Sequence, residues 1–161
     1  MCSLSNEITH PTVDVDTVRS KIKDDSLRLI DVRREEDYNK GHIPNAVNLP
    51  LASLLSDDSP ESVVKLAEDM GIADNTQVVV YDDTFGALAS RVAWTLQYIG
   101  HDNVALLEVT YSQWKELGLK TSNEKPNIKP AKHSLNLKPN IMATAEYLEK
   151  AKEKENVVLI D

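Results

Sequence analysis

Asp82 and Asp83 stand side by side where the apolar run Gln77 Val78 Val79 Val80 Tyr81 gives way to Thr84 Phe85 Gly86 Ala87 Leu88 and then to a helical pattern carrying Arg91. A strand-to-helix junction of this kind is where α/β folds concentrate chemistry, because the strand end and the first helical N–H groups converge on one small volume. Two carboxylates there can hold fixed negative charge, cap the helix or repel an anion, but they do not supply a thiol nucleophile. The only cysteine, Cys2, lies about eighty residues earlier. Arg91, on the first turn of the helix, is either an anion anchor or the partner of a nearby carboxylate. His10, His42, His101 and His133 share no metal-ligand spacing, and no phosphate-binding glycine loop is present, so neither a metal nor a cofactor is expected.

The elements that position this junction are legible from periodicity. Val15, Val18 and Ile22 fall on one helical face behind Asp14 as N-cap, and Leu27 Arg28 Leu29 Ile30 reads as a strand. After a polar turn, Ala46 Val47 Asn48 Leu49 forms a second strand closed by Pro50. Ser59 and Pro60 read as N-cap and first position of a helix with Val63, Leu66, Ala67 and Met70 inward and Gly71 at its end. Beyond the aspartate loop, Leu88, Val92, Ala93, Leu96 and Ile99 mark a helix stopped by Gly100, with Trp94 assigned to its buried face. Val104 to Leu107 is a strand, and Tyr111, Trp114 and Leu117 define a last helix stopped by Gly118. Apolar strands separated by single helices imply parallel pairing in a three-layer α/β sandwich, with a central parallel sheet flanked by helices.

The chain has 161 residues, is 41% hydrophobic and carries a formal net charge of −8, which suits one full core and disfavours nucleic acid or an anionic membrane surface as partners. No run approaches the roughly 18 apolar residues of a membrane helix, and residues 1–10 lack the basic start and apolar stretch of a signal peptide. A cytoplasmic protein is expected. Residues 1–11 read as a flexible terminus and 12–119 as the domain. Residues 120–140, with Pro126, Pro130 and Pro139 and five lysines, read as an extended, solvated linker. Residues 141–161 then repeat the layout of 12–31, ending on Val157 Val158 Leu159 Ile160 Asp161 against Leu27 Arg28 Leu29 Ile30 Asp31, about 130 residues later. This suggests the start of a truncated second copy of the domain.

Asp31 Val32 Arg33, Asp37 Tyr38 and the string Gly41 His42 Ile43 Pro44 Asn45 Ala46 Val47 Asn48 Leu49 carry a resemblance that extends in order from Val13 to Gly118. The chain resembles the rhodanese homology domain, with Asn45 in place of a glycine, a change that asparagine's tolerance of left-handed backbone permits. The resemblance implies a rhodanese-like fold and sulfur transfer, in which a cysteine at the end of the central strand carries a persulfide cradled by loop N–H groups. Here Asp82 occupies that cysteine's place and is read as a fixed anion filling the cradle. Asp83 would repel a dianionic donor. Glu108 Val109 Thr110 replace a frequent Gly-Gly, and the loop from Asp82 to Arg91 is longer than in catalytic copies. Arg33 with Asp37 resembles the family's structural ion pair, and His42 and His101 match positions that orient loops.

Two functional readings fit these residues. In one, the chain is the inert N-terminal half of a tandem thiosulfate or 3-mercaptopyruvate sulfurtransferase. Its partner is then a second rhodanese-like domain bearing the cysteine, and the parent takes a small anionic sulfur donor and a thiophilic acceptor. Asp82, Asp83, Thr84, Phe85, Gly86, Ala87 and Leu88 would face the cleft between the two, with Arg91 behind them and Asp31, Arg33, Asp37, His42 and Pro44 as structural residues. In the other, it is a free-standing, non-catalytic binding or regulatory module that uses the same loop.

Overall fold

The run Gln77–Tyr81 is apolar along almost its whole length, as a strand must be when both faces and both edges are covered. In the computed structural model, which describes residues 10–160, every residue of this strand, β4, is buried. It pairs in parallel with β2 (Leu27–Asp31) on one side and β5 (Val104–Leu107) on the other. Two-residue strands β1 (Thr12–Val13) and β3 (Val47–Asn48) form the edges, also in parallel, and the order is β1-β5-β4-β2-β3.

Alternate residues of β4 serve two separate cores, because successive strand side chains point to opposite faces. Val78 and Val80 pack with residues of α3 (Leu51–Ser56), α4 (Pro60–Asp69) and α5 (Ala89–Tyr98). Val79 and Tyr81 pack with Val18 of α1 (Val15–Lys21), Tyr38 of α2 (Glu35–Lys40) and Trp114 of α6 (Tyr111–Glu116). The expected three-layer α/β sandwich is therefore what forms. No helix among the described residues is long and apolar enough to cross a membrane.

Local chemistry explains where expectation and structure part. Asp14 caps α1 as read, its Oδ1 accepting the Thr17 N–H at 2.7 Å. Ser59 and Pro60 hold the N-cap and first positions of α4 as read, but the Ser59 side chain makes no capping bond; its hydroxyl donates to Asp57, which also accepts from Ser62. The expected polar turn after β2 contains α2, whose one buried residue, Tyr38, is too little apolar signal to mark a helix. Trp94 is half-buried rather than core, stacked on Tyr98 at 5.5 Å.

Residues 120–138, read from sequence as an extended, solvated linker, are not solvated along their length. Ser122 makes a reciprocal backbone bridge to His42, and Ile128 packs against the α3/α4/α5 core. Farther on, the Ala131 N–H donates to the Glu68 carbonyl, Asn136 to Ile99 and Lys138 to Tyr98, each at 2.9 Å. Burying Ile128 and His133 while matching these backbone groups outweighs the pull of the lysines toward water. The segment is thus a strap across the domain.

Beyond it, α7 (Ala145–Ala151) has the same length as α1, and its cap Thr144 bonds the Tyr147 N–H as Asp14 bonds that of Thr17. Residues 157–160, expected to form a strand, are not in one, and Ile160 is 93% exposed. An isolated apolar segment has no ladder partner here to satisfy its backbone.

Gly100 and Gly118 both end helices at positive φ, +102° and +71°, but they differ in surroundings. A Cβ on Gly100 would meet the Asn136 carbonyl oxygen of the strap at 2.5 Å, whereas one on Gly118 would meet nothing within 4 Å. Gly118→Ala should therefore cost about 1 kcal/mol for the left-handed backbone alone. Gly100→Ala should cost about 2 to 3 kcal/mol, since the strap must also shift. Urea unfolding of the two variants gives both numbers.

Candidate functional site

The loop 82–88 is organised by one side chain. Asp82 is 2% exposed, and its carboxylate accepts the backbone N–H groups of Thr84 (3.0 Å), Gly86 (2.9 Å), Leu88 (2.9 Å) and Ala89 (3.0 Å) together with the Thr84 hydroxyl (2.8 Å). Burial acts to raise the Asp82 carboxyl, but the N–H bonds from Ala89, Gly86 and Thr84 outweigh it and hold the pKa below the usual carboxylate value. The carboxylate thus takes up the N–H donors of its own loop. Capping α5, the blander role, is part of the same arrangement, since two of the four donors, Leu88 and Ala89, open that helix. Asp83 turns outward and accepts from the N–H and hydroxyl of Ser112 on α6 at 2.8 and 2.7 Å. Phe85, at the tip, has φ +54° and is 85% exposed.

A second buried carboxylate braces the same end of the sheet. Asp31 accepts from Arg33 through Nε and Nη2, the latter at 2.6 Å, and from the Tyr81 hydroxyl at 2.7 Å. Burial and the Asp31 charge push the Tyr81 phenol well above its ordinary value, keeping it a donor. Tyr81 in turn accepts the Ile43 N–H at 3.1 Å, while Arg33 reaches the Gly41 carbonyl at 2.8 Å and lies over the Tyr111 ring at 3.8 Å. The expected Arg33 to Asp37 pair is not made: the shorter reach to the buried Asp31 wins, and Asp37 pairs with Lys40 at 3.4 Å on the surface.

The turn beside it is dictated by its sequence. The Ala46 N–H donates to the Ile43 carbonyl across Pro44 and Asn45, and Asn45 has φ +65°. Proline at the second position and a left-handed residue at the third describe a type II turn, so asparagine replaces glycine here as expected. His42 is fully buried, with Nδ1 2.9 Å from the Tyr38 carbonyl and Nε2 3.0 Å from that of Glu124. Both ring nitrogens thus lie against backbone carbonyls. Arg91 is drawn away from the loop to Asp58 at 3.1 Å and sits over Trp94, so the structure supports the carboxylate partner and not the anion anchor.

The loop divides two hollows. Asp83, Thr84 and Leu88 face a cleft of about 710 Å³ shared with Arg33, Tyr111 and Lys115. Asp82, Phe85 and Gly86 line a smaller one of about 180 Å³ against Leu106 and Val109. Among the described residues no group of three metal-ligating side chains assembles. Cys2 lies outside the described residues.

The family model of the rhodanese-like domain matches residues 14–117 of this chain. The chain belongs to the rhodanese-like family. Among curated relatives, a sulfur carrier protein of Thermus thermophilus is 31% identical over 78% of this chain and 47% of its own length. A 3-mercaptopyruvate sulfurtransferase of Mus musculus is 31% identical over 72% and 42%. The rhodanese-like chain thus spans about half the length of these relatives. Its fold is shared with the 3-mercaptopyruvate sulfotransferase SseA of Escherichia coli, with a TM-score of 0.79 at 21% identity, covering 91% of this chain and 63% of that one. It is shared also with an anaerobic ergothioneine biosynthesis enzyme of Chlorobium limicola, at 0.75 and 22%, covering 91% and 42%.

Sequence reasoning placed the rhodanese-like loop but missed what fastens it. Thr110, read from sequence only as a lost glycine, caps α6 in a full capping box with Gln113. The Thr-x-x-Gln spacing was the available signal. The roles of Tyr81 and Ser112 depend on contacts distant in sequence and had no local signal.

Because its folded pKa is depressed, Asp82 contributes stability that is complete above the unfolded carboxylate value of about 3.9 and is lost as pH falls through the lower folded value. Asp82→Asn should lose about 2 to 4 kcal/mol at pH 7, since an amide nitrogen then faces N–H donors. Its stability should also fall less steeply than wild type below about pH 4. Denaturant unfolding at pH 7, 4 and 3 measures both effects.

Proposed function

We propose that this chain is the non-catalytic N-terminal domain of a tandem sulfurtransferase. In that protein a cysteine of a second rhodanese-like domain carries sulfane sulfur as a persulfide between a small anionic donor, thiosulfate or 3-mercaptopyruvate, and a thiophilic acceptor. The observation that carries the reading is the Asp82 carboxylate, which takes up four loop N–H groups and the Thr84 hydroxyl. A cradle of this kind would otherwise stabilise a thiolate or persulfide. With a covalently attached anion already in it, the loop has neither the nucleophile nor the free donors for group transfer.

Two further facts support the tandem arrangement. The sulfur carrier protein and the 3-mercaptopyruvate sulfurtransferase are about twice as long as the stretch matched here, and α7 repeats α1 in length and cap geometry. In the parent protein the domain would buttress its neighbour and present the loop 82–88 to the shared cleft. A second reading, a stand-alone binding module, draws on Phe85: a large aromatic held out on left-handed backbone is a ready contact for a partner.

The purified 161-residue chain should show no thiosulfate:cyanide sulfurtransferase turnover above the blank, and turnover abolished by Cys2→Ser would overturn the account of Asp82. Asp82→Cys should gain no persulfide on thiosulfate treatment, because Asp83, Val109 and Thr110 remain. A mass gain of one sulfur atom would show those residues to matter less. The gene should encode, roughly 50 residues past Asp161, a strand followed by cysteine and a glycine-containing loop. A stop codon directly after Asp161 would favour the module.

A further inference from the structure

At the far end of α5 from Asp82, two histidines meet where the strap crosses the domain. His101, directly after Gly100, and His133, on the strap, are both buried, and His101 Nδ1 lies 3.1 Å from His133 Nε2. The strap is fastened around this contact. The His133 N–H donates to Glu68, the Ser134 N–H and hydroxyl to Asp74, and Lys138 pairs with Asp102. The geometry points to a proton-operated latch, in which the His101–His133 bond holds the C-terminal half of the strap on the domain and a second proton on the pair releases it.

The number of protons the pair can hold sets its behaviour. A nitrogen-to-nitrogen hydrogen bond holds one proton, so two neutral imidazoles form it with their second proton on an outer nitrogen. One added proton is tolerated: His133 can carry it on Nδ1, 3.9 Å from Asp74, while Nε2–H still donates to His101. A second has nowhere to go without placing N–H against N–H and two cations with ring centres 5.2 Å apart. Burial and the neighbouring His133 lower the His101 pKa; the Thr76 and Asn103 backbone and the Asp74 charge oppose them without reversing the shift. The groups facing the pair are therefore Glu68 of α4, Asp74 of the turn after it and, at the strap's exit, the mutually paired Asp102 and Lys138. None of them supplies the missing acceptor between the rings.

The sign is fixed by linkage. A base with a depressed docked-state pKa binds fewer protons docked than free, so docking is complete above the free histidine value of about 6.5. It weakens by up to tenfold per pH unit below that, until the docked value is reached. The other end of the strap is held by the reciprocal backbone bridge between Ser122 and His42, in which no side-chain proton takes part. Acid therefore releases residues 131–138 and leaves residue 122 in place.

Hydrogen exchange of the full chain at pH 7.5, 6.0 and 5.0, corrected for the intrinsic pH dependence, tests this. The Ala131, Asn136 and Lys138 amides should lose at least tenfold protection between pH 7.5 and 5.0, while Ser122 keeps its own. In His133→Gln that pH dependence should shrink, since the conflict between the two rings is gone while the burial of His101 remains. If the variant does not fold, ring nitrogen shifts of the wild-type histidines give the same information, with His101 titrating in step with loss of strap protection. Constant protection at 131–138, equal loss at Ser122, or an unchanged pH dependence in His133→Gln would each overturn the latch. Sulfurtransferase activity does not enter this readout, so the latch and the proposed function fail separately.

Discussion

A buried carboxylate with every oxygen occupied is the constraint on which this end of the molecule depends. Asp82 could not remain charged and inside unless several N–H groups turned toward it, and the chain from Thr84 to Ala89 takes the path that lets them do so. That path puts Phe85 and Gly86 on left-handed backbone, sends Asp83 outward to Ser112 and sets the first turn of α5. The loop is shaped by its own anion. A loop shaped for an external anion would need those donors vacant.

The second buried carboxylate has a different task. Asp31 extends the β2–β4 pairing, which already sets Tyr81 beside it, to parts of the fold outside the sheet: the Gly41 carbonyl through Arg33, the Ile43 N–H through Tyr81, and the face of Tyr111. Breaking one partner of such a pair leaves the other charge buried and unmatched, which costs about 3 to 5 kcal/mol. It is also the reason the turn at Pro44 and Asn45 is held so close to the strand ends without belonging to the sheet.

How much of this was legible in the sequence depended on the range of the interaction. The strands of the sheet's centre, the cap at Asp14 and the left-handed Asn45 arise from periodicity and local backbone preference, which act within a few residues. The hydrogen bonds of Asp82 to its own loop are local too, since the carboxylate and its donors lie within seven residues of each other. Arg33 was assigned the wrong partner because Asp37 and Asp31 are both near in sequence, and only burial distinguishes them. The strap read as solvated because its composition is that of a linker. It is docked by carbonyls and side chains of α4, α5 and the turns after them, which the strap's own residues do not reveal. Residues 157–160 show the converse: a strand pattern with no neighbour to pair with makes no strand.

The docked strap also separates two boundaries that are usually taken as one. The family pattern ends at residue 117, and the sheet is complete once Leu107 is in place. The physical unit nevertheless runs about twenty residues farther, to the Lys138 bond with Tyr98. During synthesis the docking points of the strap, from Glu35 to Trp114, emerge before the strap itself, so it closes over a sheet whose strands have all been made. It acts as the last seam of the domain.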